Sequence, residues 1–359
     1  MNIYYMKFNT VISLAGKSER FFKDGFTKPK YLLPMQNGKT MIENAVDSLN
    51  IAGNLFLIVQ REHCTKYSID SFLQKKYPSA RICYLDGYTN GSAESCYLAT
   101  KEYIDTDLPL VVSNCDQALE WDSADFIERT LAADSDGAIL TYYADTNRNS
   151  YASVKEGTTH VLRTAEKEVI SNNSLVGVHS WKRGSDFCRS VEHMLKNNIR
   201  ANNEYYVSIT YNFLIDAGKS IHIVPLKEDA GEKYWTVGTP ETYYDYLNKK
   251  FGNVKVSRLE AMTRGWLIGD FSPSILRTSA FEVAYLHHKK GEVWPAHVHN
   301  LADEYNVLIR GSMVINNEQI SQGDIFIIKK GMMTKATFLE DCEVLCIKVP
   351  SIPSDKHCY

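Results

Sequence analysis

The first 144 residues alternate between apolar runs of strand length and amphipathic segments of helix length. This order limits the fold more than any single motif does. Residues 10–15 read as a strand, and MIENAVDSLNIAG (41–53) carries its apolar residues at helical spacing. NLFLIVQ (54–60) is a continuous apolar run, as expected of a strand covered by helices on both faces. Residues 65–76 predict an amphipathic helix and ARICYLD (80–86) a further strand. An apolar strand ending at Asn114, a helix over 123–134 and a strand over 137–144 continue the pattern. Such alternation predicts an α/β fold with a mainly parallel sheet. Ligands of such sheets sit beyond the carboxyl ends of the strands.

After residue 262 the rhythm changes. FEVAYLHH, EYNVLIRG, SMVINN, DIFIIKK and EVLCIKV are short β-rich runs separated by Gly, Asn and Asp turns. They predict a small all-β barrel or sandwich. A chain of 359 residues is long enough for two domains. The expected division is 1–250, a polar linker over 251–262 that the polar run already opens at 248, and 263–359.

Hydrophobic residues at 44% and charged residues at 23% place the chain among water-soluble globular proteins. A net charge of −3 without a basic block argues against a nucleic-acid partner. No apolar run approaches the ~18–20 residues of a membrane span. MNIYYMKFN lacks the long apolar region of a leader, so a cytoplasmic location is expected. The eight cysteines include no CxxC. Cys342 and Cys346 share one face of a predicted strand and read as small core residues, which fits a reducing compartment.

Three stretches carry chemistry. In VISLAGKSERFFKDGFTKPKYLLP (11–34) a strand delivers a small-residue loop followed by Arg20, Lys28 and Lys30. Backbone N–H groups of such a loop suit phosphate, and the cations suit charge developing on a transferring phosphoryl group. On residue types alone it reads equally as an ordinary βα turn with a solvated basic loop. In GYTNGSAESCYLATKEYI (87–104), Gly91 and Ser92 open a helix, either as a simple cap or as a close approach to a base or phosphate. In LPLVVSNCDQALEWD (108–122), Asp116 follows an apolar strand. It is a turn former or an oxygen ligand for Mg²⁺ beside bound phosphates.

LAG-x-x-x-R at 14–20, Pro29-Lys30, Gly38-Lys39 and MIENAVDSL together resemble the opening of the sugar-phosphate nucleotidyltransferases. The resemblance extends over about residues 8–247. It implies a Rossmann-like, mostly parallel sheet domain that transfers a nucleotidyl group from an NTP to a sugar 1-phosphate or a small phosphorylated alcohol. It assigns Leu14, Ala15, Gly16, Lys17, Ser18, Gly91 and Ser92 to the nucleotide, and Arg20, Lys30 and Asp116 to catalysis, Asp116 with Mg²⁺. Glu166 and Lys167, and Glu204 in the segment Asn203-Glu204-Tyr205-Tyr206, fall to the sugar phosphate. Without the resemblance, Glu166 and Lys167 read as solvated charges on a hairpin. Val237-Gly238-Thr239-Pro240-Glu241 resembles the segment that closes the domain. Two positions depart from the family pattern. Ser18 stands where a second Gly is common, and Thr236 stands where an acid serves as second metal ligand, leaving Asp116, phosphates, water or a neighbour such as Glu232.

In the β-rich part, Gly291-(x5)-His297-Val298-His299-(x4)-Glu304-(x6)-Gly311 resembles the first motif of the cupins. His at i and i+2 face one way, and a carboxylate completes a partial site for Zn, Fe, Mn or Ni. The second motif keeps Gly323-Asp324 and Gly331 but has Thr334 in place of the fourth ligand, His, so metal binding is left open. A barrel used for dimerisation, or for holding a ligand, with its metal chemistry lost, is the other reading. Two alternatives for the whole chain stay open beside transfer. One is a second, isomerase or epimerase step in the barrel, with Tyr285, His287 and His288 as candidates. The other is a nucleotide-sugar-binding regulator without turnover. Surface-glycan supply, for capsule or lipopolysaccharide, is the setting the family implies.

Overall fold

The computed structural model describes residues 6–359. Residues 1–5, part of the stretch read for a leader, and the side chain of Asn37 lie outside the described residues. The chain divides into two units, Met1–Asn253 and Val254–Tyr359.

The first unit begins with β1 (Phe8–Ser13), α1 (Glu19–Lys23), α2 (Met41–Leu49), β2 (Gly53–Gln60), α3 (Arg61–Tyr67), α4 (Ile69–Lys76) and β3 (Arg81–Leu85). It continues with α5 (Ser92–Thr100), β4 (Leu110–Asn114), β5 (Gln117–Glu120), α6 (Ala124–Leu131) and β6 (Gly137–Tyr143). Then come β7 (Ser150–Val154), β8 (Val161–Glu166), β9 (Asn173–Trp181), α7 (Gly184–Lys196), α8 (Thr210–Asp216), β10 (Ile221–Pro225), β11 (Lys233–Thr236) and α9 (Pro240–Phe251).

The central sheet has the order β10-β6-β9-β4-β1-β2-β3. β1 runs parallel to β2 and β4, β2 to β3, and β10 to β6. β9 alone on this path is antiparallel, between β4 and β6, and β7 and β8 add a hairpin to it. The sheet is thus mostly parallel, as the alternation predicts. Alternate residues of its middle strands enter two cores. Val11, Ile58, Val112 and Ile139 pack on one face, and Ile12, Leu57, Val111 and Leu140 on the other. Burial of both faces explains why these strands read as unbroken apolar runs. The chain leaves β1 toward β2 and β3, then returns to β4 on the opposite side. The crevice at the carboxyl ends of β1 and β4 is therefore a topological switch point.

Local chemistry sets several ends. Thr40 and Glu43 form a capping box at α2, and Glu43 Oε2 accepts from Thr40 N at 2.8 Å. Thr239 caps α9, with Pro240 in its first turn. The helix expected over 65–76 is instead two, α3 and α4, broken at Ser68 in a left-handed conformation (φ 53°). The strand expected over 10–15 ends at Ser13, which frees Leu14 and Ala15 for the loop. α9 runs through Phe251, into the polar stretch that opens at 248.

The second unit holds β12 (Trp266–Ile268), β13 (Glu282–His288), β14 (His297–His299), β15 (Asp303–Arg310), β16 (Ser312–Ile315), β17 (Glu318–Ser321), β18 (Ile325–Ile328), β19 (Ala336–Phe338), β20 (Cys342–Val349) and β21 (Lys356–Cys358). They form antiparallel sheets of order β12-β13-β20-β15-β18, β17-β16-β19 and β14-β21. Leu308, Met313, Phe338, Cys342 and Val344 make a small core. Cys342 and Cys346 are both buried, and every cysteine among the described residues is free.

Truncating a residue of the sheet core should cost far more than truncating an exposed apolar one. Ile58→Ala removes a fully buried side chain and should cost about 2–5 kcal/mol in urea unfolding of the first unit. Ile325→Ala, at a side chain 76% exposed, should change stability by no more than about 0.5 kcal/mol.

Candidate active site

The loop after β1 is held from three sides. Leu14 N donates to Ile58 O at 2.8 Å, so the loop starts in register with β2. Gln60, buried at the carboxyl end of β2, donates from Nε2 to Ala15 O (3.2 Å) and Gly87 O (3.3 Å). Lys17 Nζ lies 5.0 Å from the centre of the Tyr88 ring. Leu14, Ala15 and Ser18 are buried, while Gly16 and Lys17 are exposed. Ser18 has φ 57°, so the position of the departure from Gly is indeed left-handed. Its side chain does local work there: Oγ accepts from Lys30 N at 3.1 Å.

That bond delivers Lys30 to the switch point. Lys30 Nζ meets Asp116 Oδ2 at 2.5 Å, joining the turn after Pro29 to the end of β4. Burial works against both charges, but each is held by the other. The Lys30 ammonium is pushed above its ordinary range, and the Asp116 carboxyl is held below its own. Arg20, exposed on α1, lies near enough to favour the Asp116 carboxylate and to oppose the Lys30 charge. Val237 N donates to Asp116 O at 3.0 Å, which brings Gly238 against the carboxylate. A Cβ at Gly238 would stand 2.7 Å from Asp116 Oδ2. The open space beside a carboxylate is the volume an ion and its phosphate ligands require. Asp116 therefore fits a Mg²⁺ carried in with phosphates, as a single protein carboxylate. Glu232 does not join it. Its two oxygens accept Asp122 N (3.0 Å) and Lys227 N (2.8 Å).

A second wall comes from the segment around Tyr205. Tyr205 N donates to Asn90 O (2.7 Å) and Ala93 N to Tyr205 O (2.9 Å). Gly91 (φ 144°) lies so close that a Cβ would meet Tyr205 backbone atoms at 2.4 Å. Gly91 is thus required by chain contact, and Ser92, half-buried, begins α5 beside it. Next along, Lys167 Nζ bonds Tyr206 Oη at 3.1 Å, and that bond is the main cause of its raised pKa, with Glu204 adding to it. Lys167 itself has φ 57°, a conformation costly for a lysine and held by the end of the β7–β8 hairpin. Glu166 Oε2 accepts from Ser208 Oγ at 2.8 Å and also from Ser150 Oγ. Glu166 and Lys167 are therefore held by hydroxyl partners, Ser208, Ser150 and Tyr206, with the exposed Glu204 close to Lys167. The sequence does not single out Gln60 or Gly238. Gln60 carries a signal, a polar residue closing an otherwise apolar strand; Gly238 carries none beyond its motif.

No protein-family model and no curated protein matches the chain. Solved structures do. A nucleoside-diphosphate-sugar pyrophosphorylase from Vibrio cholerae is 26% identical, with a TM-score of 0.58, over 67% of this chain and 99% of that one. A putative glucose-1-phosphate thymidylyltransferase from Bacillus anthracis is 18% identical (TM-score 0.55; 70% and 98% covered). The inositol-1-phosphate CTP transferase from T. maritima is 13% identical (TM-score 0.53; 70% and 98%). The chain shares their fold. The shared part is far longer than Val254–Tyr359, so it lies mainly in the first unit.

In the second unit, β14 and β15 bring His299 and Glu304 together, His299 Nε2 to Glu304 Oε1 at 3.1 Å. His297 is displaced from them, its ring centre 5.5 Å from that of His299. Thr334 turns its hydroxyl to His297 O at 3.2 Å. Among the described residues no group of three or more His, Cys, Asp or Glu is arranged to hold a metal ion. The transition metal left open by the sequence at His297, His299 and Glu304 thus finds no support among the described residues. The physical reason is that Glu304 closes on His299, while the fourth position offers a hydroxyl already bonded to backbone. Of the three residues considered on β13, His288 is buried and stacks on Phe338 at 4.2 Å, while Tyr285 bonds Glu343 at 2.5 Å.

The Lys30–Asp116 pair sets a pH window. The depressed Asp116 stabilises the fold above its unfolded pKa, and this is lost as pH falls through the lower folded value. The raised Lys30 contributes fully below its unfolded pKa, and this is lost as pH rises through the higher folded value. The pair should therefore be intact across neutral pH. Carboxyl NMR titration should place the Asp116 midpoint below the ordinary aspartate range, and Lys30→Met should move it upward. An unmoved midpoint in the variant would contradict the pairing.

Proposed function

We propose that the first unit transfers a nucleotidyl group from an NTP to a sugar 1-phosphate or a similar small phosphorylated acceptor, with release of pyrophosphate. The observation that carries this is the Lys30–Asp116 pair at the carboxyl ends of β1 and β4, beside the Leu14–Ser18 loop. The likeness in fold to a nucleoside-diphosphate-sugar pyrophosphorylase supports it.

In the reaction an acceptor phosphate oxygen attacks the α-phosphorus in line. The new O–P bond forms as the α–β phosphoanhydride bond breaks, and pyrophosphate departs with the electron pair. The acceptor oxygen is already ionised, so no covalent enzyme intermediate is required. The loop backbone and Ser18 seat the phosphates, while Gly91, packed on Tyr205, sets the start of α5 where Ser92 borders the nucleoside. Lys30, drawn from Asp116 toward the incoming phosphates, and Arg20 stabilise the charge that builds on the leaving group. Asp116, released from Lys30, would hold a Mg²⁺ ion, which when bound neutralises phosphate charge. Lys167 and Glu204, organised by Tyr206, align the acceptor phosphate, and Glu166 with Ser208 faces its hydroxyls.

The second unit is read as a cupin-like barrel, a platform for a homodimer, in a cytoplasmic enzyme that supplies activated precursors for a surface glycan. No helix among the described residues is long and apolar enough to cross a membrane, which is compatible with that location.

The test is pyrophosphate release with Mg²⁺, each NTP being tried against sugar 1-phosphates, inositol 1-phosphate and other phosphorylated alcohols. Turnover is expected with one NTP, and Lys30→Ala should lower kcat/KM by about 10²–10³-fold, the range seen when one charge-stabilising donor is removed. Lys167→Ala should raise the acceptor KM while leaving nucleotide affinity within about twofold. Silence across the panel, with nucleotide binding retained in calorimetry, would replace the transferase with a nucleotide-sugar-binding regulator.

A further inference from the structure

The second unit encloses a cavity of about 1130 Å³, at the upper end of sizes that take small organic molecules. Its lining is two-sided. Met313, Ile315, Phe338 and Val344 form an apolar side, and Glu304, Asn306, Lys348 and His299 form a polar one. The polar side is mostly self-satisfied. Lys348 Nζ pairs with Glu282 Oε2 at 2.7 Å, and Ser351 Oγ donates to Glu282 Oε1 at 2.9 Å. Besides His288 Nδ1, Asn306 is the exception. It is 97% buried, lines the cavity, and its Nδ2 has no hydrogen-bond partner. A buried amide without a partner costs free energy that a ligand oxygen would recover.

A second observation lies at Trp294. Lys356 Nζ stands 3.8 Å from the centre of its ring and the Arg264 guanidinium 5.9 Å. Neither cation forms an ion pair among the described residues. The carboxylates lining the cavity are engaged elsewhere or open to solvent: Glu282 with Lys348, Glu304 with His299, Glu292 with Trp294 Nε1 (2.8 Å) and Lys289 N (3.0 Å), and Glu260 exposed. Arg264 is also held at φ 51°, and Gly265 beside it presses so close to Tyr285 O that a Cβ would lie 2.0 Å away. Two cations, both exposed to solvent, share one indole, an arrangement suited to an anion.

We propose that this cavity binds a small anionic polyol, its phosphate or carboxylate between Arg264 and Lys356 against Trp294, and its hydroxyls on Asn306 and Glu304. The body of the ligand stacks on the indole, a surface suited to the C–H face of a sugar ring, while the buried amide and carboxylate select hydroxyl groups. This site requires no metal and stands independently of transfer by the first unit.

The experiment is calorimetry on the full chain with glucose 1-phosphate, gluconate, glucose and inorganic phosphate, in the presence of EDTA. Tryptophan fluorescence is followed in parallel. At least one of glucose 1-phosphate and gluconate should bind, and which of them binds separates a phosphate from a carboxylate ligand. Glucose should bind at least tenfold more weakly. Lys356→Met and Arg264→Gln should each weaken the charged ligand about tenfold or more, Lys356→Arg should restore it to within about threefold, and Trp294→Phe should abolish the fluorescence change. Because these variants lie outside the first unit, glucose 1-phosphate bound there would be insensitive to all of them. The proposal fails if neither charged probe binds, if its affinity is the same in the Lys356 and Arg264 variants, or if binding appears only with added Zn²⁺ and disappears in His297→Ala.

Discussion

The double parallel pairing of β1, with β2 on one side and β4 on the other, is the constraint from which the first unit is built. A strand in that position is covered on both faces, and β1 buries Phe8, Val11 and Ile12 there together with the polar Asn9 and Thr10. Its one opening to solvent is its carboxyl end. Because the chain runs outward from β1 in both directions, the loops after β1 and β4 diverge there and leave a crevice. Gln60, Lys30 and Asp116 are arranged around that gap.

Within the crevice one ion pair takes the place of a ligand. Lys30 and Asp116 each lie at a position where an isolated charge would be costly, and each is made tolerable by the other. A pair of this kind is poised for exchange. An incoming polyphosphate offers the ammonium a stronger anion, and an accompanying cation offers the carboxylate a stronger partner. In the transfer proposed above, the same surroundings would receive a substrate of high negative charge. The Lys167–Tyr206–Glu204 cluster is built on the same logic, with a hydroxyl in place of the second charge and a left-handed backbone fixing the lysine.

The second unit solves a different problem. Its sheets border more space than its small apolar core fills, and among the polar groups facing that space Glu282 pairs with Lys348 and Glu304 with His299, while Asn306, Arg264 and Lys356 have no such partner. The histidine and carboxylate spacing on β14 and β15 is visible in the chain, yet the contact between His299 and Glu304 turns that spacing into a hydrogen-bonded pair instead of a metal site.

Much of this is legible in the amino-acid sequence. Apolar runs of strand length and amphipathic runs of helix length specify the α/β class, because a buried parallel strand can hardly be written in any other alphabet. The Gly16–Arg20 loop, Lys30, Asp116 and the Glu166–Lys167 pair stand out through a resemblance in spacing and order to a family pattern, since by residue type alone each also reads as a turn or a solvated charge. Positions whose meaning lies in contact do not. Gln60 matters because two loops from distant parts of the chain reach its amide. Gly238 matters because a carboxylate 122 residues earlier lies where its side chain would be. The break at Ser68 and the closing of Glu304 on His299 belong to the same class. Sequence determines what each residue is able to do, since propensity and charge are local. Only the tertiary structure decides which partners arrive, since burial and pairing depend on groups that the chain keeps far apart.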